Sequence, residues 1–210
     1  MFNTKTLRKA GKKLTRAEAA AGQAFGPYRD TPLVKLLSSI GKVGDQPELR
    51  GLSAVAVAIG LLTSNRRLVR AGVRMILAHE LATLAKDIVK RRIDRTRPRS
   101  AKAHSQRKLK PGAHTAKEKT SFPSGHSAGA VAVARAFSRE YPGYEAPALA
   151  SAGVVAVAQI PKLAHYPTDV GAGMLLGTAS ELAADFVMRA GERLEAAITP
   201  EARPRPRLRA

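Results

Sequence analysis

Lys90 and Arg97 stand seven residues apart, and Pro98 follows. On a helix seven residues is close to two turns, so both cations would share a face. Converging cations suit a phosphate, and Arg can engage two of its oxygens at once. The same pair also fits an ordinary basic helix end, where positive charge complements the dipole. A second segment, Phe122-Pro123-Ser124-Gly125-His126-Ser127, opens an apolar helical pattern. Ser124 is a good N-cap, Gly125 lets a ligand approach the backbone, and free N–H groups at a helix start form an anion site. His126 in that place can give a proton to a leaving oxygen; it fits equally a capped helix that begins with an incidental His. The third segment is His165-Tyr166-Pro167-Thr168-Asp169, at the entry to another apolar helix. A carboxylate four residues from a His can hold one ring nitrogen and leave the other free as nucleophile or base. A local His–Asp cap is the plainer alternative.

The elements that must bring these segments together are helical. A 3.6-residue apolar pattern runs over roughly 66–96, with Leu68, Val73, Ile76, Leu77, Leu81, Leu84 and Ile88, and Pro98 ends it. Thr31 to Gly41 reads as a short amphipathic helix, and Gly51 to Ser64 is an uncharged run. Residues 99–121 are polar, basic and unpatterned, hence a loop. Ser127 to about Arg139, 146–160 and 168–190 read as three more helices, the first two joined by the turn PGYEAP. Period-2 alternation over a strand's length is largely absent. The expectation is an all-α bundle of five to six helices, without internal repeats. Helices 127–139 and 146–160 are both about 20 Å long at 1.5 Å per residue, and the short turn makes them antiparallel neighbours. That returns the chain from His126 to the end of the bundle where His165 sits, so the site is expected at one end.

The 210 residues suit one domain with tails: a basic arm over 1–25, a bundle over 26–195 and a Pro/Arg-rich tail over 196–210. With 44% hydrophobic residues a core can form; without cysteine there is no disulfide framework, thiolate metal site or Cys nucleophile. The formal charge of +20 calls for an anionic partner. Its excess lies in three places: six cations and no acid in residues 1–16, twelve against two in 90–119, and four Arg in 203–209. The rest of the chain balances. A nucleic-acid partner is disfavoured, because no reading helix or aromatic strip accompanies the charge. His79-Glu80 reads as an interior His, and His104 and His114 lack acidic partners at ligand spacing, so no metal site is expected.

Lys90…Arg97-Pro98, then Pro123-Ser124-Gly125-His126, then His165…Asp169, in that order, resembles the type-2 phosphatidic acid phosphatase superfamily over roughly 66–190. That superfamily takes in lipid phosphate phosphatases, class A bacterial acid phosphatases and vanadium haloperoxidases; the last are usually much longer chains. The resemblance implies a helical bundle and hydrolysis of a phosphate monoester or diphosphate without metal or other cofactor. It implies that His165 attacks phosphorus to give a phosphohistidine, that Asp169 orients it and that His126 protonates the leaving alcohol. Lys90, Arg97, Ser124 and the Gly125 amide would hold the phosphoryl oxygens.

One departure stands out. The family's third motif opens with Ser-Arg seven and six residues before the nucleophile, where this chain has Ala158 and Gln159. Gln159 can donate a hydrogen bond to phosphate but brings no charge; Lys162, three residues on, is the candidate replacement cation. Two readings follow: an active lipid phosphatase, or a weakly active or inactive member that binds anionic phospholipid or phosphate. The apolar helices and basic arms favour a lipid substrate, such as phosphatidic acid or a polyprenyl phosphate, over a small phosphate ester. They also favour an anionic membrane surface as partner and a membrane location. The basic segment 1–16 lacks the apolar centre of a secretory signal, so none is expected.

Overall fold

The computed structural model describes residues 17, 18, 20, 24–101 and 108–198. The basic segment 1–16, His104 and residues 199–210 of the Pro/Arg-rich tail lie outside the described residues. Among the described residues six α-helices carry the fold: α1 (Pro32–Gly41), α2 (Gln46–Leu62), α3 (Arg66–Lys90), α4 (Gly125–Glu140), α5 (Glu145–Val157) and α6 (Pro167–Ile198). Their starts follow the sequence. Thr31 Oγ1 accepts from the Val34 N–H, Asn65 Oδ1 from Leu68 and Ser124 Oγ from Ser127, three side-chain caps. Pro32, Pro47 and Pro167 occupy first-turn positions where the missing N–H costs nothing.

The Ala-rich α4 is the axis, packed against α3, α5 and α6, with α2 outside α3. Its small side chains let neighbours come close. Leu49, Met75, Ala78, Ala82, Ala128, Ala132, Val133, Ala136 and Ala184 form the main core, and Ala130, Val131, Ala134, Ala152 and Val155 a second cluster under α5. The α4–α6 crossing is set by two glycines one turn apart. A Cβ on Gly173 would sit 2.4 Å from the Ser124 carbonyl oxygen, and one on Gly177 2.3 Å from that of Ala128. This small-xxx-small spacing is the device by which two backbones approach.

Two expectations are corrected. The long helix stops at Lys90 rather than near residue 96. The following backbone finds other partners: β1 (Ile93–Asp94) pairs antiparallel with β2 (Lys110–Pro111), and the Arg95 and Arg97 N–H groups donate to the carbonyls of Lys119 and Glu118. The described parts of this basic stretch, up to residue 101 and from 108 on, therefore form a folded strap bonded to the chain that leads into α4. α6 also runs further than expected, to Ile198.

The charges inside the apolar helices pair with one another, away from the segments singled out above. Arg74 lies 2.9 Å from Glu140 and 2.5 Å from Asp185, Glu140 also takes Arg70, and Glu181 takes Arg135 and Arg139. His79 is buried beside Glu80, with Nδ1 3.2 Å from its carboxylate, and packs near Gly129, an interior His as expected. His114 meets Asp94 within the strap. On the outside, Leu52, Val55, Ile59, Leu61 and Leu62 of α2 are exposed, as are Leu84 and Ile88 of α3 and Leu175, Leu182, Phe186 and Val187 of α6. Among the described residues one helix, Pro167–Ile198, is long and apolar enough to cross a membrane.

Candidate active site

The connection between α5 and α6 carries His165 into the interior. Burial leaves its side chain 1% exposed. Nδ1 lies 2.7 Å from the Ser121 carbonyl oxygen, which fixes a proton on that nitrogen and leaves Nε2 with its lone pair. Nε2 faces Arg97, 3.3 Å from Nη1. Burial pushes the imidazole down to about 4; Asp169 opposes this, and the Arg97 and Lys90 charges add to it. At neutral pH His165 is uncharged, the state a nucleophile needs.

Asp169 does not bond His165 directly. Its carboxylate is 3.8 Å from Nδ1, too far for a hydrogen bond. The one-turn spacing places the two on one side of the chain, but the Ser121 carbonyl stands closer to the ring. Asp169 instead accepts from the Tyr166 N–H at 2.9 Å, from the Ser121 hydroxyl and from Arg95 at 2.5 Å. Arg95 in turn stacks 4.0 Å over the Tyr166 ring and meets Glu18, which also accepts from Thr168. Asp169 therefore ties the approach to α4, through Ser121, to the turn that carries Tyr166.

A pocket of about 350 Å³ opens over His165, walled by Gly44, Asp45, Lys86, Lys90, Arg97, Gly125 and His126 among others. Lys90 and Arg97 do converge, though by a different route from the one expected. Lys90 ends α3, with Nζ donating to the Thr120 carbonyl at 2.9 Å. Arg97 comes from the strap, held by the Lys117 and Ala164 carbonyls. Gly125 presents the start of α4 on the wall, where a Cβ would meet Lys86 at 3.0 Å. His126 faces His165 across the pocket, ring centroids 6.4 Å apart. Burial lowers its pKa, the Asp45 carboxylate opposing that effect.

Two expected phosphate ligands are not on the wall. Ser124 is fully buried, its oxygen engaged with both the N–H and the hydroxyl of Ser127. Gln159 is fully buried too; its Nε2 donates back to the Val155 carbonyl at 3.1 Å, and Oε1 has no partner among the described residues. Neither is aimed at the pocket because each side chain serves its own helix end. Lys162 sits near the rim, close enough to Asp45 and His126 for mutual electrostatic influence; burial lowers it and Asp45 raises it. Among residues not singled out from the sequence, Arg95 and Ser121 flank the recognised segments by one or two positions. Asp45 and Glu18 lie far away in sequence and carried no local signal. Among the described residues no group of three His, Cys, Asp or Glu is placed to hold a metal ion.

A neutral His, two cations and a helix N-terminus around one pocket make an arrangement chemically suited to a phosphoryl group. The sequence pattern of the PAP2 superfamily matches residues 68–189, more than half of the chain, and the chain belongs to that superfamily. By class it is a phosphoric ester hydrolase. Two solved structures share the fold. A transmembrane PAP2-type phosphatidylglycerolphosphate phosphatase from Bacillus subtilis is 22% identical, with a TM-score of 0.63 over 83% of this chain and 86% of that one. LpxE from Aquifex aeolicus is 20% identical, with a TM-score of 0.57 over 78% of this chain and 91% of that one. No protein of curated function matches the chain.

Proposed function

We propose that the protein hydrolyses the phosphate monoester or diphosphate of a lipid through a phosphohistidine on His165. The observation that carries this reading is the neutral Nε2 of His165 beneath a pocket lined by Lys90, Arg97 and the start of α4. The Nε2 lone pair attacks phosphorus and a P–N bond forms. The P–O bond to the alcohol breaks, and the leaving oxygen takes a proton from the His126 imidazolium. Water then attacks the phosphohistidine, His126 accepts its proton, and the P–N bond breaks to release inorganic phosphate. Lys90, Arg97 and the Gly125 amide stabilise charge on the phosphoryl oxygens throughout.

A lipid is favoured because an apolar groove of about 320 Å³ lies beside the phosphate pocket. Leu49, Leu52, Met75, Val133, Phe137 and Val155 line it, and the 43–49 segment serves both: Val43 and Leu49 face the groove, Gly44 and Asp45 the pocket. A phosphate in one and a hydrocarbon chain in the other match a phospholipid or polyprenyl phosphate. The exposed apolar flanks of α2, α3 and α6 seat against acyl chains, with the site end at headgroup level.

The competing reading, an anionic-lipid binder with little turnover, has one observation in its favour: Gln159 is neutral and turned away, so the third segment brings no cation to the wall. Purified protein offered phosphatidic acid in mixed micelles separates the two. Hydrolysis that survives chelator and disappears in His165→Ala supports the phosphatase; tight binding without phosphate release supports the binder and contradicts the phosphatase.

A further inference from the structure

Asp45 is the last residue before α2, the position where an Asp side chain ordinarily accepts a hydrogen bond from the first-turn N–H groups. Here it makes no such bond. Its Oδ1 lies instead 2.6 Å from Nε2 of His126, at the start of another helix 81 positions away in the sequence. The backbone is shaped for this approach. A Cβ on Gly44 would sit 2.4 Å from Val155 Cγ1 and 3.5 Å from His126 Cβ, so only a glycine lets the segment lie against α4 and α5 at this point. Lys162 stands close enough to influence both partners.

The location fits the chemistry. Asp45 lies where the phosphate pocket meets the apolar groove. In a phospholipid that junction is the ester oxygen, the atom that must gain a proton as the P–O bond breaks. We infer that Asp45 is a positioning residue that holds His126 as the proton donor to the leaving oxygen of the substrate. Its carboxylate fixes the ring through Nε2, favours the imidazolium over the neutral ring, and leaves Nδ1 to meet the leaving group. When the proton moves from Nδ1 to the alkoxide, the neutral ring stays in place against the carboxylate, ready to take a proton from the incoming water. This inference rests on the phosphatase reading above.

The test exploits how much each ester needs a proton on its leaving group. An alkoxide departs only with protonation; a nitrophenolate departs without it. Asp45→Asn keeps the shape and removes no capping bond from α2, so its fold is expected to survive. General acid catalysis is typically worth 10²–10⁴-fold, so kcat/KM for phosphatidic acid should fall by about 10- to 100-fold in Asp45→Asn. For p-nitrophenyl phosphate the fall should be no more than about threefold, so the ratio of the two rates moves by at least about threefold. Asp45→Glu should restore part of the alkyl ester rate, and adding Asp45→Asn to His126→Ala should cause little further loss. Equal loss with both esters, or no loss with either, overturns the role of Asp45. Wild-type protein that hydrolyses neither ester overturns the phosphatase reading itself, and the two failures are told apart by that control.

Discussion

His165 and Asp169 are four residues apart and face the same cluster, yet the bond between them runs through Ser121. The sequence puts a carboxylate one turn from the His; it does not say that a carbonyl from residue 121 stands between them. Arg95 and Ser121 could be found only once the strap was known to run alongside the approach to α4. The pH dependence belongs at this scale. His165 must be neutral to attack, so kcat/KM should fall as pH drops through about 4, where its imidazole gains a proton. His126 must be protonated to serve the leaving group, and its pKa lies below the ordinary imidazole value of about 6.5. Activity should therefore fall as pH rises through a point under that value, giving a bell with an acidic maximum. A profile of kcat/KM that stays flat to pH 8 or beyond would contradict these protonation states.

At the scale of elements, the helices were legible and their ends less so. The apolar period over 66–88 is strong, but nothing in Arg91-Arg92-Ile93-Asp94 marks the change to an extended strap; that depends on partners at 110–120. The convergence of Lys90 and Arg97 was therefore anticipated for the wrong geometric reason. The Gly173–Gly177 pair carried a readable signal, since small residues four apart mark a close helix crossing. The buried ion pairs make a prediction for the bundle itself. Arg74 and Glu140 are 5% and 4% exposed, and removing Glu140 leaves the buried guanidinium with Asp185 but without its second carboxylate. Glu140→Ala should destabilise the fold by about 1.5–3 kcal/mol, while replacing Arg74, Glu140 and Asp185 together with apolar residues should cost less. Thermal or denaturant unfolding in detergent checks both; a single variant as stable as the wild type would show that the cluster does not hold α3, α4 and α6 together.

For the whole molecule, the fold class and the end of the bundle that carries the site followed from helix lengths and a short turn. The division of labour inside the basic excess did not. Arg97 holds the pocket wall and Arg95 supports Asp169, whereas Arg99 and Lys119 of the same stretch stand at its surface. Composition reports their sum and is silent on their directions. The apolar flanks also emerge only when the helices are assembled, because single helices carry internal charges that the bundle hides. They predict retention in the membrane pellet after alkaline carbonate and release by detergent; release by carbonate alone would contradict a flank seated among acyl chains. The central claim is that His165 takes the phosphoryl group. Rapid acid-free quenching of the enzyme during turnover of phosphate-labelled phosphatidic acid tests it most directly. The account predicts a stoichiometric, alkali-stable and acid-labile label on His165 that forms and decays at the rate of turnover and is absent from His165→Ala. Hydrolysis at full rate with no label on His165, or with turnover intact in His165→Ala, would contradict it.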